Sequence, residues 1–234
     1  MNVRVLFATR ILRLFAYGFL SVVLVLYLAA AGLSESRIGL LLTLTLVGDA
    51  ALSLWITTSA DRVGRRRMLL VGAVLMVFAG VLFASTRSFA VLLLAATVGV
   101  ISPSGNEVGP FLAIEQAALS EEISAERRTS IFAWYNLIGS FATALGSLAG
   151  GGLVQLLQGR GFSALVSYQA VVAGYAVLGA AMALLFLRLS AAVEPPAPRR
   201  VQARPSWFRA GLGLGPSRGN VLRLAGLFTI DALA

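Results

Sequence analysis

Residues 61–69 read Asp61-Arg62-Val63-Gly64-Arg65-Arg66-Arg67-Met68-Leu69, and they stand between two apolar runs at 36–58 and 68–86. A helix needs about 20 apolar residues to cross a bilayer, so each run is long enough for one crossing. Two helices must therefore reverse within a few residues. Gly64 permits the turn. The Arg residues hold it on one side of the membrane. Asp61 can cap the reversal, pairing with Arg65 or with a helix end.

Outward from this hairpin, further apolar runs lie at 8–31, 89–117, 129–152 and 165–189, making six in all. The connections at Gly32–Glu35 and Thr86–Ser88 are tight turns, as in a packed bundle. A seventh run begins at Val221, and its fourteen residues to Ala234 would reach only about 21 Å at 1.5 Å per residue. The reading is therefore of a chain that stops inside a helix. The first run is too long for the apolar stretch of a cleaved signal peptide. Arg placement gives the orientation: sixteen Arg fall on the side of the 61–69 loop, against Arg37, Arg87 and Arg160 on the other. That bias predicts a cytoplasmic N-terminus. Three segments follow: a bundle at 1–189, a Pro- and Arg-rich cytoplasmic linker at 190–220, and the start of a seventh span at 221–234. Pro195, Pro196 and Pro198 disfavour a continuous helix in the linker, and its Arg residues can lie on anionic headgroups.

Composition agrees. Of 234 residues, 58% are hydrophobic and 12% charged, with mean hydropathy +0.87. A soluble globular chain carries roughly a quarter charged residues, so this one cannot cover a water-facing surface. Cys and His are both absent, which excludes a disulfide framework, thiol chemistry and a Cys or His metal site. A Ser nucleophile would have neither Lys nor His as its base. No phosphate-binding Gly-x-x-x-x-Gly-Lys loop occurs. The reading is of a non-enzyme with no cofactor and no metal. The net charge of +9 comes from nineteen Arg and no Lys. They sit between apolar runs, which argues for topology and against nucleic acid. Arg without Lys in an Ala- and Leu-rich chain points to a GC-rich bacterial genome, and so to a bacterial inner (plasma) membrane.

The 61–69 loop resembles the signature loop of the major facilitator superfamily, Gly-x-Leu-Ala-Asp-Arg-x-Gly-Arg-Arg/Lys-x-x-Leu. Ala60, Asp61, Arg62, Gly64, Arg65, Arg66 and Leu69 match; Thr57 stands for the pattern's Gly and Ser59 for its Leu. The resemblance implies an all-α membrane protein: a six-helix bundle forming the N-terminal half of a twelve-span fold, built as a 3+3 inverted repeat. It also implies that Asp61, Arg62, Gly64, Arg65 and Arg66 act as a conformational latch. The partners it implies are a lipid bilayer, a small-molecule substrate, a proton or cation as coupling ion, and a missing C-terminal half. Gly146-Ser147-Leu148-Ala149-Gly150-Gly151 is similar to the family's antiporter motif, with Ser147 in place of Pro, and leans toward efflux.

Polar residues within the spans are the candidate site. An ionisable group at mid-bilayer costs about 2.5–3.5 kcal/mol on insertion scales. Asp49 lies mid-span with Thr45 and Ser53 one turn away on the same face. It is either a coupling or cationic-substrate site or a hydrogen-bond anchor. Between residues 101 and 110, Pro103, Gly105, Gly109 and Pro110 must distort the helix. Asn106 and Glu107 would then face a cavity there. Arg13 and Tyr17 follow one another on one face of the first span, Arg13 either snorkelling or meeting substrate. Glu115 is expected to pair with Arg127 or Arg128. Ala142, Gly146 and Gly150 form a small-residue packing face. The function expected is secondary transport by alternating access; the alternative is a non-transporting remnant or scaffold that needs a partner half.

Overall fold

The computed structural model describes residues 2–103, 105, 110–190, 193–194, 219 and 223. Among these the regular elements are all helices. They are α1 (Asn2–Ala30), α2 (Glu35–Val63), α3 (Arg65–Ser85), α4 (Phe89–Val98), α5 (Phe111–Glu122), α6 (Ala125–Gly159) and α7 (Ala164–Leu187). Five of them, α1, α2, α3, α6 and α7, are long and apolar enough to cross a membrane.

The run expected as one distorted helix over 89–117 is two helices in the structure. α4 has ten residues and α5 twelve, so at 1.5 Å per residue they measure about 15 and 18 Å. Neither alone reaches across a ~30 Å core. The break falls where the sequence predicts distortion. Pro110 has no amide hydrogen to give a preceding turn, and Gly105 sits at φ +72°. A Cβ on Gly105 would lie 3.0 Å from Ser21 Oγ of α1, so the broken segment crosses close over α1. The expected spans at 8–31, 36–58, 68–86, 129–152 and 165–189 each lie within, or within a few residues of, one long helix. α6, at 35 residues, runs well past its expected ends at both termini.

The chain divides into two units, Met1–Pro196 and Ala197–Ala234. In the second, only Gly219 and Arg223 are described, both helical. Most of the expected linker and seventh span therefore lies outside the described residues.

Within the first unit α1 is central. It packs on α6 and α7, while α3 packs on α7 and α2 on α4. The α1–α6 crossing is close because the side chains are missing where the backbones meet. A Cβ on Gly18 would lie 2.1 Å from the Thr143 carbonyl oxygen; one on Gly146 would lie 2.1 Å from that of Phe15; one on Gly150 would lie 2.4 Å from that of Phe19. Ala142 is buried in the same face. Small residues thus let backbones approach as membrane helices require. Ser147, which stands where the antiporter motif has Pro, keeps α6 continuous, and its hydroxyl donates to the Gly18 carbonyl at 3.2 Å. The outer surface is apolar: Leu148 is 73% exposed and Val177 68%. A water-facing fold would leave such side chains at a cost, whereas lipid accepts them.

Candidate functional site

Three polar arrangements sit in or on the bundle. The first is a buried ion pair. Arg13 and Glu115 both have fully buried side chains. The guanidinium of Arg13 grips the carboxylate in bidentate fashion, Nη1 to Oε1 at 2.8 Å and Nη2 to Oε2 at 2.7 Å. Thr9 donates to Oε1 at 3.0 Å, and the Tyr135 hydroxyl donates to Oε2. Glu115 of α5 is therefore held by two residues of α1 and one of α6. Thr9 and Arg13 reach it together because positions i and i+4 share a helix face. Around the pair, Arg13 also lies over the Phe111 ring at 4.8 Å. Arg10 lies over Tyr135 at 4.2 Å and donates to the Tyr135 carbonyl at 2.7 Å and to Asn136 Oδ1 at 3.0 Å.

This corrects the expected pairing of Glu115 with Arg127 or Arg128. Both those Arg residues are exposed on the first turn of α6. A carboxylate with no exposed surface gains more from a guanidinium buried beside it than from one solvated on a neighbouring turn. Arg13 does not snorkel: its head group stays inside with Glu115.

The second arrangement is the loop at 61–69. Gly64 adopts φ +113°, a region that side chains with a Cβ rarely enter. Arg65 is buried to 6% exposure. Its Nε contacts Asp61 Oδ1 at 3.2 Å, and its Nη1 and Nη2 contact Glu121 Oε2 and Oε1 at 2.8 and 3.0 Å. The loop is thus tied to the end of α5. Asp61 does pair with Arg65, yet the cap on α3 comes from elsewhere. Glu194 accepts from the backbone amides of Arg65 at 2.7 Å and Arg66 at 3.3 Å. In return, Arg66 Nη2 donates to the Leu187 carbonyl at the end of α7, at 2.6 Å. An acid at the N-terminus of α3 and a cation at the C-terminus of α7 both oppose the helix dipoles. Arg62 is exposed. Nearby, Asn2 Nδ2 bridges Glu122 Oε1 at 2.5 Å and Ser190 Oγ at 2.8 Å. The short helix α5 is consequently held by three acids, Glu115 and Glu122 answered chiefly by α1 and Glu121 by Arg65 at the start of α3. Glu194→Ala is expected to lower stability by about 1 kcal/mol through loss of the cap. Thermal unfolding in detergent measures it.

The third arrangement surrounds Asp49. It is 1% exposed, and neither carboxylate oxygen has a hydrogen-bond partner. Thr45 is buried too, its hydroxyl donating to Leu41 O at 2.8 Å. The hydroxyl oxygen of Ser53 is buried without a partner. Tyr17 is fully buried in α1. Tyr175 of α7 lies within electrostatic range of both Tyr17 and Asp49 and donates to the Val100 carbonyl, in the broken segment, at 2.5 Å.

The structure thus separates the sequence-predicted cavity residues. Arg13 belongs to the Glu115 pair, whereas Asp49 and Tyr17 belong with Tyr175. Asn106 and Glu107 lie outside the described residues. Sequence reasoning missed Thr9, Arg10, Tyr135, Tyr175, Glu121, Glu122 and Glu194. Of these, only Thr9 carried a local signal, its spacing of four from Arg13. The others meet their partners from distant parts of the chain.

Known proteins resemble this chain in sequence and in fold. The family model described as Major Facilitator Superfamily matches residues 6–230. An uncharacterized membrane protein of Saccharomyces cerevisiae, YJR124C, is 39% identical over 195 residues, covering 82% of this chain and 44% of the yeast protein. The chain therefore spans less than half the length of that curated relative. Among solved structures, the crystal structure of a D-xylose–proton symporter matches with a TM-score of 0.63 and 18% identity, over 98% of this chain and 56% of that one. At that identity the match shows a shared fold. With a family match over nearly the whole chain, the signature loop folded as a turn and a bundle of apolar helices, the chain belongs to the major facilitator superfamily of transporters and is a multi-pass integral membrane protein.

Proposed function

We propose that the chain forms the N-terminal six-span half of a secondary transporter, which moves a small solute by alternating access and is driven by a cation gradient. The observation that carries this reading is Asp49, a buried acid with no hydrogen-bond partner in the core of the bundle. A structural anchor would be satisfied by its neighbours. A group that must gain and lose a positive charge cannot be permanently paired.

In this reading α4 and α5 together make the fourth crossing, interrupted at membrane depth as transporters interrupt helices near their sites. The packing supports a 3+3 inverted repeat. α1 meets the fifth crossing, α6, with Gly146 of α6 against the Phe15 carbonyl of α1; α2 meets α4 with Gly48 of α2 against the Thr97 carbonyl of α4. Exchanging the two halves of the repeat maps one contact onto the other. The 61–69 loop serves as the latch, since Arg65 joins α3 to α5 and Glu194 joins α3 to the segment after α7. Residues 190–220 then link to a second half, in keeping with the chain's span of 44% of its yeast relative. The N-terminus is cytoplasmic by the Arg bias, and the membrane is a bacterial inner membrane by composition. Efflux is favoured by the Gly146–Gly151 motif alone.

Orientation is tested with the chain's own lack of Cys. Cysteines placed singly at Ser36 and Arg128 should react with a membrane-impermeant maleimide from opposite faces, Ser36→Cys from outside and Arg128→Cys only after permeabilisation. The reverse pattern contradicts the reading. Transport is tested by screening solutes for stabilisation of the complete protein, then following any hit into proteoliposomes. A hit that crosses only liposomes containing the protein supports it. A hit that binds and is never carried contradicts it.

A further inference from the structure

The outer seam between α3 and α7 is apolar along its length and cationic at one end. The two helices run in opposite directions. A Cβ on Gly80 would lie 2.8 Å from the Cβ of Ala176, and one on Gly179 would lie 3.2 Å from Val77 Cγ2. The start of α3 therefore meets the end of α7, where Arg66 Nη2 donates to the Leu187 carbonyl at 2.6 Å. Arg66, Leu70, Val77 and Val81 share one face of α3 by their helical spacing. Leu184 and Leu187, three residues apart, share one face of α7. Leu184 is 64% exposed, and Leu187 and Val81 are each 52% exposed, so the seam is open to lipid.

Three Arg gather at the cationic end. Arg66 and Arg67 stand on the first turn of α3, and Arg188 caps α7. Arg67 and Arg188 are exposed. None of the three makes an ion pair among the described residues. The neighbouring acids are engaged by other groups: Glu194 accepts from the amides of Arg65 and Arg66, and Asp61 pairs with Arg65. The contact with Leu187 fixes Arg66 in place and answers the negative pole of α7. α3 has 21 residues, about 32 Å at 1.5 Å per residue, which matches a ~30 Å hydrocarbon core. Its first turn thus stands at the level of the lipid headgroups.

The bias of Arg toward one side of the membrane explains why cations lie at this end. It does not explain three guanidiniums at the mouth of an open apolar seam. A ligand suited to both parts is anionic at one end and apolar along the rest. An anionic phospholipid has both properties, whereas a soluble anion has only the first. Guanidinium groups match phosphate oxygens in charge and geometry, and basic pockets between spans hold such headgroups.

We propose that this seam binds one anionic phospholipid from the leaflet on the Arg-rich side. Arg66, Arg67 and Arg188 hold its phosphate, and an acyl chain lies over Leu70, Val77, Val81 and Leu184. The lipid bridges the adjoining ends of α3 and α7. The site is independent of Asp49 and of any solute, so its failure would leave the transport reading as it stands.

The test uses the full chain purified in detergent, with lipid retention read by native mass spectrometry and stability by unfolding midpoints. Phosphatidylglycerol, phosphatidylcholine and inorganic phosphate are added separately at equal phosphate concentration. The wild type should retain one phosphatidylglycerol in preference to phosphatidylcholine, and phosphatidylglycerol alone should raise the midpoint. Arg67→Gln/Arg188→Gln, at two exposed positions, should weaken retention roughly 10–30-fold. Arg127→Gln/Arg128→Gln removes the same charge from exposed positions on α6 and should leave retention unchanged. Equal retention of the two lipids by the wild type overturns the proposal. So does an equal loss in both double variants, which would show attraction to charge in general and no site. Stabilisation by inorganic phosphate as large as that by phosphatidylglycerol also overturns it, since the seam would then play no part.

Discussion

Arg13→Ala is expected to destabilise the bundle by about 3–5 kcal/mol, the largest effect of any single substitution considered. The mutation leaves Glu115 fully buried with its charge uncompensated, while Thr9 and Tyr135 still donate to it. Two neutral donors do not replace a bidentate guanidinium. Because Glu115 is one of three acids that hold α5, the loss should loosen α5 first. Protease nicking or hydrogen exchange in 111–122 should rise before the rest of the bundle opens. The damage comes from the orphaned charge and not from missing attraction. The double variant Arg13→Met/Glu115→Leu should therefore recover most of the stability. Unfolding midpoints in detergent for the single and double variants decide it. Equal losses in both would mean that packing, and not charge, holds this corner.

The second large effect lies at the α1–α6 crossing. Gly146→Ala places a Cβ 2.1 Å from the Phe15 carbonyl oxygen. The obstacle is backbone, so the helices must part. Overpacking of this kind costs about 1–3 kcal/mol, outweighing the roughly 1 kcal/mol that Ala gains over Gly in a helix. Gly152, six residues along the same helix, has nothing within 4 Å of its would-be Cβ. Gly152→Ala should therefore stabilise by up to about 1 kcal/mol. Opposite signs for two identical substitutions on one helix separate close packing from propensity. Thermal unfolding of the pair measures both.

Much of this fold was legible in the sequence because membrane helices announce themselves locally. Length and apolarity marked the five long helices, and Pro103 with Pro110 marked the break. The reversal at Gly64 was legible because a short turn confines its chemistry to adjacent residues, as the Asp61–Arg65 contact illustrates. What was missed depends on crossing geometry. Glu115 lies twelve residues from Arg127 and about a hundred from Arg13, and only the packing of α5 against α1 decides between them. Glu194 lies in a segment whose composition reads as linker, yet it caps a helix that starts more than a hundred residues earlier. The polar stripe of Thr45, Asp49 and Ser53 was visible as a stripe. Its lack of partners was not, since satisfaction of a buried group depends on what the neighbouring helices bring.

The central claim is that Asp49 carries the charge that couples solute movement to a cation gradient. The most direct measurement compares wild type and Asp49→Asn of the complete protein in proteoliposomes, using one transported solute, for exchange at equilibrium and for accumulation against a gradient. Asp49→Asn should keep exchange and lose gradient-driven accumulation. Accumulation by Asp49→Asn at the wild-type level would contradict the account.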